Sequence, residues 1–164
     1  NRAADTGISV ALLPDLRWGR RDIKTVQLLY PSMAKMEARD RGADDAWLYE
    51  DGFVTEASAA TAHIVTADGH LVTRDLSHAL LAGVTRAAVL SLAQTNGITV
   101  QERAFTPDEA RAAREAFITS ATNFVVPVVR IDNQVIGDGT PGALTRDLRT
   151  QYIATRRAAA LAPA

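Results

Sequence analysis

The stretch Arg17-Trp-Gly-Arg-Arg-Asp-Ile-Lys24-Thr-Val-Gln27 is the most informative part of this chain of 164 residues. It contains one of only two lysines among eighteen basic residues, the other being Lys35. Lys24 follows a strand-like segment and stands between Ile23 and Val26, so the sequence predicts partial burial of its side chain. Burial and nearby cations favour the neutral amine, which can attack a carbonyl carbon to form a Schiff base. The same residues are also compatible with an ordinary surface lysine, which is what Lys35 is expected to be in the middle of a helix.

Outward from this stretch, short apolar runs alternate with single helices. Tight turns at Asp51-Gly52 and Asp68-Gly69 join two pairs of runs into predicted hairpins. The predicted strands cover residues 8–13, 46–50, 53–56, 61–66, 70–73, 99–104, 116–119 and 125–131. The predicted helices run from about 31 to 42, from 84 to 95, over a short segment after the capping box at 106–109, and from 140 to about 157. This mixture predicts an α+β fold with a mixed or antiparallel sheet and packed helices.

Composition excludes several classes of function. The chain has no cysteine, which rules out disulfides, thiolate nucleophiles and cysteine-based metal sites, and its three histidines lack the spacing of a zinc site. Eighteen basic residues nearly balance nineteen acidic ones, so neither a nucleic acid nor a membrane surface is indicated as a partner. No apolar run approaches the roughly 18 residues of a membrane helix, and no signal peptide is visible. We therefore expect a cytoplasmic protein.

Three further segments carry polar groups that suit a ligand. Glu56 ends a hairpin strand and precedes small residues, so its carboxylate can face a ligand or can simply be a charge at a strand end. Gly83-Val-Thr-Arg86 lies where a loop becomes a helix, and free N–H groups at such a point favour a phosphate, although most helix starts bind none. Thr119-Ser-Ala-Thr122 supplies hydroxyl groups at the end of a strand, or is simply a turn.

Five motifs in a fixed order join these segments. They are Asp22-Ile-Lys-Thr-Val-Gln-Leu-Leu29, Phe53-Val-Thr-Glu-Ala-Ser58, Leu80-Leu-Ala-Gly-Val-Thr-Arg86, Phe117-Ile-Thr-Ser-Ala-Thr122 and Ile136-Gly-Asp-Gly139. In their order and spacing they resemble the fold-type IV enzymes that use pyridoxal 5'-phosphate (PLP), a class that includes D-amino-acid transaminase and branched-chain aminotransferase. The resemblance covers most of the chain. It implies the large PLP-binding domain of the D-amino-acid aminotransferase-like fold.

The resemblance also implies roles for individual residues. Lys24 would form the internal aldimine with PLP and move the proton between the substrate α-carbon and the cofactor, and Glu56 would pair with the pyridine nitrogen. The remaining implied contacts are Leu81 against the ring face, the backbone of Val84 and Thr85 and the turn Ser120-Ala121 at the phosphate, and Arg17 near the substrate. Relatives often carry threonine at the position of Ala121, so one phosphate hydroxyl is absent here.

The implied reaction is transamination between a D-amino acid such as D-alanine and a 2-oxo acid such as 2-oxoglutarate. Residues 1–10 are expected to be an interdomain segment with the first strand, and residues 11–158 the PLP-binding domain. The small N-terminal domain of the family is expected to be missing from this chain, and the full protein is expected to be a homodimer. The alternatives are a branched-chain or (R)-amine transaminase, an aminodeoxychorismate lyase, and an isolated, inactive domain.

Overall fold

Short buried runs of the chain form one mixed sheet. The computed structural model describes residues 2–161, and nine strands pair within that part of the chain. The strands are β1 (Ile8–Pro14), β2 (Asp45–Glu50), β3 (Phe53–Ala57), β4 (Thr61–Val65), β5 (Leu71–Thr73), β6 (Val100–Glu102), β7 (Glu115–Ser120), β8 (Phe124–Ile131) and β9 (Gln134–Val135). The helices are α1 (Arg2–Thr6), α2 (Leu29–Asp40), α3 (Val84–Thr95), α4 (Pro107–Arg111) and α5 (Ala143–Leu161). The predicted α+β class is confirmed.

The strand order is β3-β2-β1-β8-β7-β4-β5-β6, with β9 paired to β8. β1 runs parallel to both β2 and β8, and β5 runs parallel to β6. All the other pairs are antiparallel. A parallel pair needs a crossover connection, and α2 provides it between β1 and β2.

The sheet is curled, so that its two ends meet. Trp47 of β2, near one end of the strand order, packs edge-on against Phe105, which follows β6 at the other end, with ring centroids 6.3 Å apart. Close by, the Val54 N–H donates to the Phe105 carbonyl oxygen at 3.0 Å. The curl therefore encloses one apolar core between the two halves of the sheet.

Helices cover the outer face of the curled sheet. Along β1, Val10 and Leu12 lie in the enclosed core, whereas Leu13 packs outward in the cluster beneath α2. Both faces of β1 are buried, which explains why its sequence is a continuous apolar run rather than an alternating one. A third cluster joins α3 and α5 to the outer face of the neighbouring strands through Phe117 and Leu148, among others.

Most element predictions are confirmed. Both hairpins form, and the turn at Asp51-Gly52 has positive φ at both residues (52° and 82°), as a two-residue hairpin turn requires. The predicted helix 84–95 coincides with α3. α2 begins at Leu29 rather than at Pro31, and it accommodates the proline in its first turn because the missing N–H would have no partner there.

Some predictions are wrong in detail. The strand-like segment expected before Lys24 has no regular structure. The last helix begins at Ala143 rather than at 140. At its start, the Glu115 carboxylate accepts hydrogen bonds from the Leu144 and Thr145 N–H groups at 3.2 and 2.9 Å. No pattern in the sequence indicated α1 or β9, which have five and two residues. The predicted boundary between 1–10 and 11–158 stays a prediction, and Asn1 lies outside the described residues.

None of the helices within residues 2–161 has the length and apolarity needed to cross a membrane.

Candidate functional site

A cavity of about 1130 Å³ lies where four segments of the chain meet. They are the loop after β1, the end of β3, the loop that leads into α3, and the turn after β7. β4 and β7 help to bring them together, because Thr61 at the start of β4 pairs with Thr119 near the end of β7. The eight residues singled out from the sequence all line this cavity: Arg17, Lys24, Glu56, Leu81, Val84, Thr85, Ser120 and Ala121.

Lys24 lies in the irregular loop between β1 and α2, and its side chain is exposed. The prediction that the Lys24 side chain is partly buried is therefore wrong. Because this segment is not part of a strand, no neighbouring strand within the described residues covers the amine. Lys35, the other lysine, lies on α2 with its amine 3.7 Å from the Asp45 carboxylate and does not line the cavity. Lys24 is thus the only one of the two lysines that faces the site.

Arg21 holds the loop that carries Lys24. Its guanidinium binds both carboxylate oxygens of Glu50, at 2.6 and 2.8 Å, and its backbone N–H donates to the His78 carbonyl oxygen at 2.9 Å. These bonds tie the loop to β2 on one side and to the segment before α3 on the other. The sequence showed only a dense run of charges here, and the partners of Arg21 lie about 30 and 57 residues away along the chain.

Asp15, Arg17 and Glu56 form a buried cluster on one wall of the cavity. Arg17 donates to both oxygens of Asp15, at 2.9 and 2.6 Å, and it also pairs with Glu56. The second Glu56 oxygen accepts the Leu81 N–H at 3.4 Å, and Thr55 donates to Asp15 at 2.6 Å. Arg17 therefore fixes the direction in which the Glu56 carboxylate points. Its predicted substrate contact stays a prediction.

The two acids of this cluster differ in how strongly burial acts on them. Burial raises the pKa of Asp15, but the hydrogen bonds and charge of Arg17 outweigh this and hold the pKa below its ordinary value. Burial also raises the pKa of Glu56, and here Arg17 does not fully compensate, so the pKa stays above its ordinary value. Glu56 is consequently the carboxylate that gains more from an additional cationic or N–H partner in the cavity.

The first residues of α3 line the cavity and carry backbone donors without intrahelical partners. The first helical bond is the Ala87 N–H to the Gly83 carbonyl oxygen at 3.1 Å, so the N–H groups of Val84 and Thr85 come before it. Gly83, the N-cap residue, provides no side-chain cap. The Thr85 hydroxyl is buried and has no partner within residues 2–161. These donors suit an anionic group such as a phosphate.

The turn after β7 also lines the cavity. The Asn123 N–H donates to the Ser120 hydroxyl at 3.2 Å, while Ala121 is exposed toward the cavity. Phe124 then has φ of 64°, which is unusual for a bulky residue, and its ring packs on Tyr152 of α5. α5 therefore packs against this turn and stabilises its conformation.

Sequence reasoning missed one buried group next to this turn. His63 on β4 is fully buried, and its Nε2 lies 2.9 Å from the Thr119 hydroxyl oxygen. Thr119 lines the cavity, whereas His63 does not. The sequence contained one indication of this contact. Side chains alternate between the two faces of a strand, so His63 and Thr61 of β4 lie on the same face.

The chain matches the family model of class IV amino-transferases over residues 2–131. It therefore belongs to the class IV aminotransferase family, as its five motifs indicated.

Two relatives of the chain are named D-alanine aminotransferase. The chain is 42% identical over 144 residues to D-alanine aminotransferase of Bacillus licheniformis, covering 88% of this chain and 50% of that protein. It is 37% identical over 139 residues to the D-alanine aminotransferase of Listeria innocua, covering 85% and 48%. The chain thus spans about half the length of the curated relatives it matches.

A solved structure gives the same fold. The branched-chain amino acid aminotransferase from Thermobaculum terrenum, in its PLP-bound form, superposes with a TM-score of 0.83 at 26% identity. The match covers 92% of this chain and 51% of that one. The predicted fold-type IV architecture is confirmed.

Proposed function

We propose that this chain forms the cofactor-holding part of a D-amino-acid aminotransferase that uses PLP. The reaction would move an amino group from a D-amino acid such as D-alanine to a 2-oxo acid such as 2-oxoglutarate. The observation that carries the proposal is that the loop lysine, the buried glutamate and the uncapped helix all line a single cavity. The relatives named D-alanine aminotransferase support this choice of substrate.

The donors at the start of α3 fit the phosphate group of PLP. The N–H groups of Val84 and Thr85 have no intrahelical partners, and the buried Thr85 hydroxyl lacks a partner within residues 2–161. A phosphate oxygen would satisfy these groups and would interact favourably with the helix dipole. The exposed turn at Ser120-Ala121 lines the same cavity and would also contact this group.

Glu56 fits the pyridine nitrogen. Its carboxylate is buried, its direction is fixed by Arg17, and burial raises its pKa above the ordinary value. A protonated heterocyclic nitrogen would be a favourable partner for such a carboxylate, and Leu81, whose N–H donates to Glu56, would lie against the ring. With its nitrogen protonated, bound PLP supplies an electron sink for the substrate α-carbon.

Lys24 is the residue that we assign to covalent attachment and proton transfer. Its amine is exposed at the cavity, so it can reach a carbonyl carbon and can hold or release a proton at Nζ. Arg21 anchors the loop and thereby limits the positions that the amine can take.

Further protein is expected to cover this side of the molecule. Leu29, Val84 and Leu16 line the cavity with 77%, 75% and 72% of their surface exposed, which is unusual for large apolar side chains. A small N-terminal domain and the second subunit of a homodimer are the candidates that we propose, and the cytoplasm is the proposed location.

A branched-chain aminotransferase is the second candidate, because the superposed Thermobaculum terrenum structure carries that name. Comparing D-alanine with L-leucine as amino donors to 2-oxoglutarate separates the two. Faster turnover of L-leucine would replace the first proposal by the second.

The cofactor assignment is tested by absorption spectroscopy of the full-length protein with PLP before and after borohydride reduction. Wild type should retain reduced cofactor after denaturation and dialysis, whereas Lys24→Ala should release it. Lys35→Ala is the matched control and should behave like wild type, because its amine faces Asp45 instead. Equal retention by wild type and Lys24→Ala would show that Lys24 is not the point of attachment.

A further inference from the structure

His63 lies directly behind the wall of the cavity. It is in the middle of β4 and pairs with Phe117 of β7, while Thr61 pairs with Thr119. Residues two apart on a strand share a face, so all four side chains lie on the same side of the sheet. Thr61 and Thr119 reach the cavity and His63 lies beneath them, with no exposed surface.

The imidazole ring of His63 has one hydrogen-bond partner within residues 2–161. Its Nε2 lies 2.9 Å from the Thr119 hydroxyl oxygen, and Nδ1 has no partner there. The ring stacks on Phe117 with centroids 4.6 Å apart and planes 7° apart. Burial, assisted by the charge of Arg86, lowers the pKa of His63 to about 3, so the ring is neutral near neutral pH.

A neutral imidazole has one N–H group and one lone pair, so its proton is on either Nδ1 or Nε2. The two tautomers differ in what the unpartnered Nδ1 leaves unsatisfied. If the proton is on Nδ1, a buried N–H donor is left without an acceptor. If the proton is on Nε2, only a lone pair is left unsatisfied, and His63 donates to Thr119. Orphaned buried N–H groups are rarer than under-satisfied acceptors, so the second arrangement is favoured.

We propose that His63 is a positioning residue that makes Thr119 a hydrogen-bond donor into the cavity, toward an anionic oxygen of the bound ligand. In this arrangement the Thr119 oxygen accepts a hydrogen bond from His63, so its own O–H is free to donate elsewhere. This O–H has no protein acceptor within residues 2–161, and Thr119 lines the cavity, so the O–H is directed into the cavity. Anionic oxygens are the strongest acceptors for such a hydroxyl. This inference rests on the proposed function, in which the phosphate of PLP and the carboxylate of the amino acid both supply such oxygens.

The tautomer of His63 is tested first, by NMR of the imidazole nitrogens in the full-length protein labelled with ¹⁵N-histidine. The His63 resonances are assigned by their absence from His63→Phe. The expected spectrum is that of a neutral ring protonated on Nε2. A ring protonated on Nδ1, or a charged ring at neutral pH, overturns the inference whether or not the protein binds PLP.

The coupling of His63 to Thr119 is tested by a double-mutant cycle. Thr119→Val removes the hydroxyl, and His63→Phe removes the donor but keeps an aromatic ring on Phe117. We expect Thr119→Val to weaken ligand binding about tenfold and His63→Phe to weaken it several-fold. Adding His63→Phe to Thr119→Val should then have no further effect, because His63 acts only through the hydroxyl. Additive effects in the double variant overturn the inference.

The two sources of the anionic oxygen give different results in the same set of variants. If Thr119 donates to the phosphate, Thr119→Val raises the dissociation constant of PLP but leaves that of pyridoxal, which lacks the phosphate, unchanged. If it donates to the substrate, the KM for D-alanine rises and the affinity for PLP is unchanged. No change in either quantity overturns the inference, whereas a wild-type protein that fails to bind PLP contradicts the proposed function itself.

A surface histidine provides the matched control. His70 contacts Gln101 and Asp68, at 2.9 and 3.1 Å, and does not line the cavity. His70→Phe should leave both the affinity for PLP and the KM for D-alanine unchanged. Effects of equal size from His63→Phe and His70→Phe would mean that the loss of any histidine disturbs the fold, and the positioning role would then be wrong.

Discussion

Acidification is expected to destabilise this protein through His63. The ring is fully buried, and burial with the charge of Arg86 lowers its pKa from 6.5 to about 3. The unfolded chain keeps the ordinary value, so between these two values the unfolded state binds one proton more than the folded state. The stability that His63 contributes is therefore fully present above pH 6.5 and is lost progressively as the pH falls toward 3.

The size of the effect follows from the two pKa values. At about pH 5 a histidine of the unfolded chain is almost fully protonated, whereas His63 in the folded protein is still neutral. The linkage relation then predicts that the free energy of unfolding decreases by about 2 kcal/mol between pH 7 and pH 5 on account of this one ring. That is a large fraction of the stability of a typical domain.

Urea unfolding of wild type and His63→Phe at both pH values measures this contribution. The variant keeps an aromatic ring on Phe117 but cannot titrate, and the other titrating groups act almost equally on both proteins. Relative to the variant, wild type should therefore become about 2 kcal/mol less stable at pH 5 than at pH 7. A stability difference between the two proteins that does not change with pH would refute the assignment of a buried, neutral histidine.

Three further predictions concern the helix starts and one glycine. Glu115→Gln should lower the free energy of unfolding by about 1–2 kcal/mol in a urea titration, because its carboxylate receives both the N–H and the hydroxyl of Thr145, at 2.9 and 2.8 Å. Gly137→Ala should lower the melting temperature more than Gly52→Ala does. Both glycines have positive φ, but only at Gly137 would the added Cβ meet a backbone oxygen, at 2.7 Å. Thr85→Val should weaken PLP binding about tenfold in a fluorescence titration without lowering the stability of the cofactor-free protein, whereas Thr85→Ser should retain binding.

Local patterns were sufficient for most of the elements. The two hairpins depend on turn residues that accept positive φ, and α3 is bounded by Gly83 at one end and Asn96-Gly97 at the other. These features act within a few residues of chain, so they can be read without knowledge of the fold. The polar helix α1 was missed for the complementary reason: five residues without apolar periodicity give no pattern to detect.

The sequence predicted which residues line the candidate site, but not the surroundings of each residue. The five motifs contain seven of the selected residues, the resemblance added Arg17, and the structure brings all eight to one cavity. Their environments did not follow from the motifs: Lys24 is exposed instead of partly buried, and Arg17 binds Asp15 and Glu56. Burial depends on which segments pack over a residue, and those segments are distant in sequence.

By itself, the sequence determined the α+β class, the family and the set of residues that face the cavity, because turns, periodicity and motif order are local properties of the chain. Only the tertiary structure decided which polar groups are paired, which are left without a partner, and how burial changes their pKa values. The pairing of β4 with β7 puts His63 beneath Thr119, 56 residues further along the chain, on the face of the sheet where α3 and α5 pack over Phe117, and His63 is fully buried there. Hydrogen bonding and desolvation act over a few ångströms in space, and the spacing of residues along the sequence does not specify such distances.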